Sequence, residues 1–195
     1  MTTQGDYSAK PDEALVHYQI AKGLSPFSAI SEHHLGHPYF VKRNFNQALY
    51  HYQKSLELQP QQETAHYFTG CVYFEQHKIM EAIEEFEKGD LVAAQNEAER
   101  TERKLYYDDL RAALQQGGKV GYWKRRLEIA LGKPQPPLYL IATLYARLGD
   151  KKNAYSWLKQ ACEKKAFDQG LMFDLCWDHD DKEFREIAKG IGLLQ

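Results

Sequence analysis

The sequence predicts an all-α fold built from repeated pairs of antiparallel helices. Small and aromatic residues recur at a step of about 34 residues, and no stretch keeps the period-two alternation of a β-strand. Pro26 and Pro60 are separated by one such repeat step, and Ala14, Ala48 and Ala82 show it twice. A fixed step of this length indicates a chain of like structural units, so it predicts the fold class before any helix is placed.

The residue types at the repeated positions explain the repeat step. A glycine or alanine lets two helices approach closely, an aromatic ring fills the space between successive units, and a proline stops the second helix because it has no amide hydrogen. Each helix pair therefore has apolar surface on two sides and must bury it against its neighbours. Beyond residue 90 the register breaks, and it returns after two slightly longer steps, which lead from Ala82 to Ala154. The positions in register are Tyr18, Tyr52 and Phe86; Gly36, Gly70 and Ala142; Tyr39, Tyr73 and Tyr145; and Ala48, Ala82 and Ala154.

Helix boundaries follow from breakers and capping residues. Pro11 suits a first helical turn, Gly89-Asp90 reads as a stop followed by a cap, and Gly118 marks a turn between two helices. The predicted helices are 11–23, 28–42, 45–58, 62–76, 79–88, 91–116, 120–131, 136–147, 151–164 and 181–189.

Three segments resemble tetratricopeptide repeats: SEHHLGHPYFVKRNFNQALYHYQKSLELQP, ETAHYFTGCVYFEQHKIMEAIEEFEKG and LYLIATLYARLGDKKNAYSWLKQACEKK. The resemblance implies one repeat domain over residues 1–195, a right-handed superhelix (an α-solenoid) of about four to five helix pairs with a C-terminal capping helix. Clear repeats cover about 11–89 and 135–166, a degenerate repeat covers 104–134, and the cap covers 167–195. In the degenerate repeat Trp123 occupies a position where a small residue is usual, so looser packing is expected there.

The C-terminal part is similar to the repeat segments of bacterial multidomain regulators, which follow a winged-helix domain, a kinase or a cyclase. In those proteins a phenylalanine and a final Gly-Leu close the stack, as Phe184 and Gly192-Leu193 do in this interpretation. Many relatives carry a proline before that phenylalanine, whereas this chain has Lys182 nearby, which leaves the start of the closing helix open.

Composition excludes several classes of protein. A net charge of −2 gives no general attraction to nucleic acid or to anionic lipid. No apolar run is long enough to span a membrane, and the first ten residues lack the apolar core of a secretion signal. Cys71, Cys162 and Cys176 lie far apart without a CxxC pair, which fits a reducing compartment. We therefore expect a cytoplasmic protein without nucleic-acid or membrane partners.

The resemblance implies a concave groove lined by the first helix of each pair, which receives a protein or peptide ligand. Its expected lining is His33, His37, Phe40, Tyr67, Phe68, Cys71, Phe74, Tyr139 and Thr143. Some family members hold a terminal carboxylate with lysine, arginine and asparagine, but the matching positions here are His33, His37 and Phe68. An extended apolar or aromatic segment is therefore the expected ligand.

Three other patterns admit a chemical reading beside a structural one. His33, His37 and Cys71 are either three ligands of a zinc ion or ordinary residues of the groove. The basic and aromatic run KVGYWKRR, residues 119–126, either contacts a phosphate backbone or forms a solvated helix face with Trp123 turned inward. The acidic cluster Asp178-His179-Asp180-Asp181 either binds a metal or acts in acid–base chemistry, or it caps the last helix. We favour the structural reading each time, and expect no catalysis, metal or cofactor.

The expected function is a protein-interaction scaffold, with a sensor or regulatory segment of a larger multidomain protein as the alternative. The first predicted helix has no partner helix within its own repeat, and Leu15, Val16 and Ile20 share one side of it. Truncation of a longer chain would explain this open edge. Coverage by residues 1–10, or by a second copy in a homo-oligomer, would explain it equally.

Overall fold

The computed structural model describes residues 11–166, 177 and 180–190. Every regular element within those residues is helical, which confirms the all-α prediction. The helices are α1 (Pro11–Leu24), α2 (Ala29–Val41), α3 (Phe45–Leu58), α4 (Glu63–Glu75), α5 (Ile79–Val92), α6 (Glu97–Leu131), α7 (Leu138–Arg147), α8 (Lys151–Glu163) and α9 (Lys182–Gly190). The chain forms two compact units, residues 1–109 (unit 1) and 110–195 (unit 2), and α6 contributes to both. A single domain over 1–195 stays a prediction.

The turns inside the helix pairs show the repeat most clearly. Arg43, His77 and Gly149 have left-handed φ values of 58°, 61° and 81°. His77 follows Arg43 by one repeat step, and Gly149 follows His77 by the two longer steps. Each turn closes with the same backbone hydrogen bond, of which Asn44 N to Tyr39 O at 2.8 Å is the first. The same turn geometry therefore joins α2 to α3, α4 to α5 and α7 to α8, although only the third carries the glycine that this conformation favours.

Capping side chains and prolines fix the ends of the paired helices. Ser28, Asn44 and Asp150 precede α2, α3 and α8, and each side chain accepts a hydrogen bond from a backbone N–H in the first turn. Pro26 and Pro60 follow the last residues of α1 and α3 by two positions. The proline stops predicted from the repeat are thus confirmed.

Unit 1 packs its helix pairs through glycines that face aromatic rings. A Cβ atom added at Gly36 would lie 2.2 Å from the ring of Tyr52, and one added at Gly70 would lie 2.7 Å from the ring of Phe86. Each glycine lies on the first helix of its pair and each ring on the second. The ring therefore fills the space that the missing side chain leaves, which explains why both positions recur together.

The predicted boundary at Gly89 is wrong, since α5 continues through it to Val92. Gly89 is buried, and a Cβ atom there would lie 3.1 Å from the backbone oxygen of Glu63 on α4. The glycine is needed for close helix approach rather than for a helix stop. The start of α6 was also predicted too early: Asn96 provides the cap by accepting a hydrogen bond from Glu99 N at 2.9 Å.

In α6, Gly118 breaks the helix with φ 58° and ψ −155°, as the sequence predicted. A Cβ atom at Gly121 would lie 2.5 Å from the backbone oxygen of Ala113, whereas looser packing of the helix junction at Trp123 stays a prediction. Close approach across this turn thus depends on Gly121. Trp123 is 2% exposed, which confirms that it turns inward.

Unit 2 has a core formed by α7, α8, α9 and Trp177. The core residues are Ala142, Ala154, Tyr155, Leu158, Cys162, Trp177, Phe184, Ile187 and Ala188. Asp181 caps α9 by accepting hydrogen bonds from Glu183 N at 2.9 Å and Phe184 N at 3.2 Å. A helix cap within the acidic cluster is confirmed at Asp181. Phe184 is fully buried in this core, and its role in closing the stack stays a prediction. Gly192-Leu193, Asp178, His179 and Cys176 lie outside the described residues.

Candidate functional site

The candidate site is a group of aromatic side chains on α2 and α4, the first helices of the two complete pairs in unit 1. We define the aromatic cluster as His33, His37, Phe40, Tyr67 and Phe68. The ring of Phe68 lies 5.4 Å from His33, 4.4 Å from His37 and 6.4 Å from Phe40, measured between centroids. His33, His37 and Phe40 follow at steps of four and three positions, which places them on one face of α2. The helical spacing therefore brings five of the nine expected lining residues together.

Tyr52 supports the cluster from α3. Its side chain is fully buried, its hydroxyl lies 3.1 Å from His37 Nδ1, and its ring lies 5.7 Å from Phe68. Burial, together with the nearby Cys71 thiol, raises the pKa of Tyr52 well above its usual value, so it stays a neutral phenol. This hydrogen bond fixes the orientation of the His37 ring.

The two histidines of the cluster are neutral near physiological pH. Burial, with a smaller contribution from His34, lowers the pKa of His33 to about 4. Burial, then His33 and His34, lowers the pKa of His37 to about 3. His33 Nδ1 is buried without a hydrogen-bond partner among the described residues. The cluster thus presents rings and neutral imidazoles, not positive charge.

Exposure differs sharply within the predicted lining. Tyr67 is 54% exposed, whereas His33, Phe40 and Phe74 are buried. His37, Phe68 and Cys71 are half-buried. Phe74 stacks on Phe86 at 5.7 Å, so it belongs to the packing of the α4–α5 pair. Tyr67 is therefore the side chain of this set with the largest surface open to a partner.

The remaining two expected residues lie on α7 in unit 2. Tyr139 is half-buried, and its hydroxyl accepts a hydrogen bond of 3.4 Å from Trp177 Nε1. Thr143 is buried and donates its hydroxyl to the backbone oxygen of Leu140 at 2.8 Å. That these two residues extend the same groove stays a prediction.

The described residues of the other patterns have structural roles or lie outside any metal-binding group. Among the described residues, no group of three or more histidine, cysteine or acidic side chains could hold a metal ion. Asp181 accepts the hydrogen bonds of the helix cap and a hydrogen bond of 2.9 Å from Lys151 Nζ. In the basic run, Arg126 lies over the buried ring of Trp123 at 5.9 Å, as does Arg147 from α7 at 5.0 Å. Within the same part of the chain, no helix is both long and apolar enough to cross a membrane.

Two histidine–carboxylate pairs, one buried and one half-buried, did not emerge from the sequence. His51 Nδ1 on α3 lies 2.8 Å from Glu32 on α2, and His66 Nδ1 on α4 lies 2.8 Å from Glu85 on α5. The four residues occupy equivalent repeat positions, with the histidine and the glutamate exchanged between the helices. The signal in the sequence is the exchange of histidine and glutamate at positions one repeat step apart, Glu32 with His66 and His51 with Glu85.

Comparison with known families and proteins agrees with this geometry in one region. Residues 136–163 match the model of the tetratricopeptide repeat family. The matched segment contains all of α7 and α8, one of the helix pairs that share the left-handed turn. No curated protein matches the chain.

Proposed function

We propose that the protein is an interaction module that holds an extended apolar or aromatic segment of a partner against the aromatic cluster of unit 1. Tetratricopeptide repeats are generally interaction modules and not enzymes, which supports a non-catalytic role for the chain. The observation that carries the proposal is the convergence of aromatic rings from α2 and α4 beside the exposed ring of Tyr67.

The charge of the cluster supports an uncharged ligand segment. A site for a terminal carboxylate needs fixed cations, but His33 and His37 have pKa values lowered to about 4 and about 3. Arg43, on the turn after α2, lies 3.9 Å from Glu75 and is partly neutralised by it. Aromatic and aliphatic side chains of a partner therefore suit this surface better than acidic ones.

Preorganisation supports binding through Tyr67. Its ring lies 5.3 Å from Phe68 and 5.6 Å from Phe86, so it already has a defined place before a ligand arrives. Little side-chain entropy is then lost on binding. Loss of a tyrosine that anchors an interface costs about 1–2 kcal/mol, or roughly 10-fold in affinity. In unit 2, the half-buried Tyr139 is the corresponding proposed contact, and the buried Thr143 shapes the surface behind it.

A peptide display library is the probe that tests the proposal, because it requires no known partner. Selection on the purified chain should enrich peptides rich in aromatic and aliphatic residues. The best peptide is then titrated by calorimetry against the wild type, Tyr67→Ala and Tyr50→Ala. Tyr50 is the matched control, since it is 51% exposed but lies on α3.

We expect Tyr67→Ala to weaken binding by roughly 10-fold and Tyr50→Ala to leave it unchanged. Failure to enrich any peptide, or equal affinity for both variants, would refute the site. Phe74→Ala is unsuitable as a test, because Phe74 is 8% exposed and its loss would disturb the fold.

A further inference from the structure

The first helix has an open side that the other repeats cover. His51 and Ser55 on α3 are buried, and α2 and α3 form one helix pair. The equivalent positions on α1, one repeat step earlier, are His17 and Ala21, and both are exposed. Among the described residues α1 packs against α2, and none of them places a second helix of the same pair on the side of the exposed Ala21.

The residues around this open face are apolar. Val16, Ile20 and Leu24 follow at steps of four, which places them in one stripe along α1. Leu24 is 82% exposed, and Phe27 in the following turn is 87% exposed. The open edge is defined here as Val16, Ile20, Leu24, Phe27 and Ile30, all more than half exposed.

Packing inside the repeat does not require apolar residues in this stripe. Two repeats later, the positions equivalent to Val16 and Ile20 are Glu84 and Lys88, and both are exposed. The apolar character is therefore specific to α1 at Ile20, where the two later repeats have Lys54 and Lys88, whereas the equivalents of Leu24 are the exposed apolar residues Leu58 and Val92.

The size of the open edge matches one side of a protein interface. With about 200 Å² for a fully exposed large side chain, its five residues present roughly 600 Å² of apolar surface. That exceeds most of the apolar patches found on monomers and approaches the ~800 Å² that each partner contributes to a standard interface.

Two of the charges near the stripe are paired within the chain. Lys22, beside the stripe, lies 2.7 Å from Glu32, and Asp12 lies 2.6 Å from Lys42. Both pairs are formed within the chain. Ala21 adjoins the stripe and is small, so two α1 helices can come close.

We propose that the open edge is a dimer interface, in which the α1 helices of two copies pack against each other about a two-fold axis. In a two-fold interface each surface meets its own copy, so it has to be self-complementary. An uncharged apolar stripe fulfils that requirement. The substituted residues Ile20 and Leu24 lie on α1, whereas the aromatic cluster lies on α2 and α4, so dimerisation and peptide binding are tested independently.

Sedimentation equilibrium of the full chain between about 1 and about 100 µM tests the proposal. The wild type should have twice the chain mass of 22.6 kDa. The double variant Ile20→Glu/Leu24→Glu should weaken the dimer on the order of 100-fold, since association would bury four carboxylates without partners. Leu105→Glu is the matched control, because Leu105 is 64% exposed on α6.

Equal helical circular dichroism of all variants shows that their folds are intact. A wild type that stays monomeric at the highest concentration would mean that another protein, or another part of the chain, covers the edge, and would overturn the proposal. A dimer that withstands the double variant would overturn it as well.

Discussion

Replacing Gly36 by alanine probes the tightest contact between paired helices in unit 1. A Cβ atom at this position would lie 2.2 Å from Cε1 and 2.6 Å from Cδ1 of Tyr52. Contacts this short cannot persist, so the ring or the helix has to move. Tyr52 has little freedom to do so, because it is fully buried and its hydroxyl is bonded to His37.

The expected size of the effect follows from two opposing terms. Alanine in place of glycine inside a helix stabilises it by up to about 1 kcal/mol. Overpacking of a filled core costs about 1–3 kcal/mol. We expect Gly36→Ala to lower the free energy of unfolding by about 1–2 kcal/mol, because the rigid surroundings of Tyr52 place the overpacking cost at the upper end of its range.

Two further glycines give a graded comparison. At Gly70 the Cβ atom would lie 2.7 Å from Phe86, whose ring is only half-buried and can yield, so Gly70→Ala should cost less. At Gly23, in the last turn of α1, nothing lies within 4 Å, so Gly23→Ala should be neutral or stabilising. Urea unfolding followed by circular dichroism measures all three variants. If Gly36→Ala is as stable as Gly23→Ala, the packing described for unit 1 is incorrect.

Three other substitutions test two buried polar groups, Glu32 and His33, and one helix cap, Asp181. Glu32→Gln should destabilise by about 1–2 kcal/mol. Burial raises the pKa of Glu32, but hydrogen bonds from Lys22 and His51 outweigh this and lower it from 4.5. In urea unfolding, the wild type should therefore be more stable than Glu32→Gln above pH 4.5, and this difference in the free energy of unfolding should disappear in acid. His33→Phe should stabilise by about 1 kcal/mol because it removes a buried unpaired nitrogen. The pKa of His33 falls from 6.5 to about 4 on folding, so wild-type stability declines as the pH drops through that window; an unchanged decline in the variant would count against burial as the cause. The hydrogen bond from Lys151, and then the cap bond from Phe184 N, lower the pKa of Asp181 to about 2. Asp181→Ala removes both, so amide exchange over α9 should become faster at pH 7, and unchanged exchange would argue against the cap.

The repeat made most of the fold predictable. Positions such as Gly36 and Tyr52 are constrained by direct contact between helices, and such contacts leave a fixed period in the sequence. Helix ends were predictable where one residue decides them, as Pro60 does for α3. Gly89 misled because glycine serves both as a helix stop and as a close-packing residue, and only the neighbouring backbone of Glu63 distinguishes the two. The left-handed turn at His77 was also not predicted, since its side chain gives no local signal.

The candidate site was predictable in part. The spacing of His33 and His37 on α2 placed both rings on one face, and the repeat step placed Phe68 on the neighbouring repeat. Their burial could not be read from that spacing, because Tyr52 and the rings from α4 together exclude water from the histidines. That Tyr67 is exposed while Phe40 is buried could likewise not be predicted, because both depend on tertiary packing.

The position of a bound peptide on the chain is the most direct test of the proposed function. Amide hydrogen exchange, measured with and without the peptide selected from the display library, locates the binding surface. We predict that protection on binding is concentrated on α2 and α4, around His37, Phe68 and Tyr67. Protection confined to α3 and α5, or no protection at a saturating peptide concentration, would contradict the proposal that the aromatic cluster holds the partner.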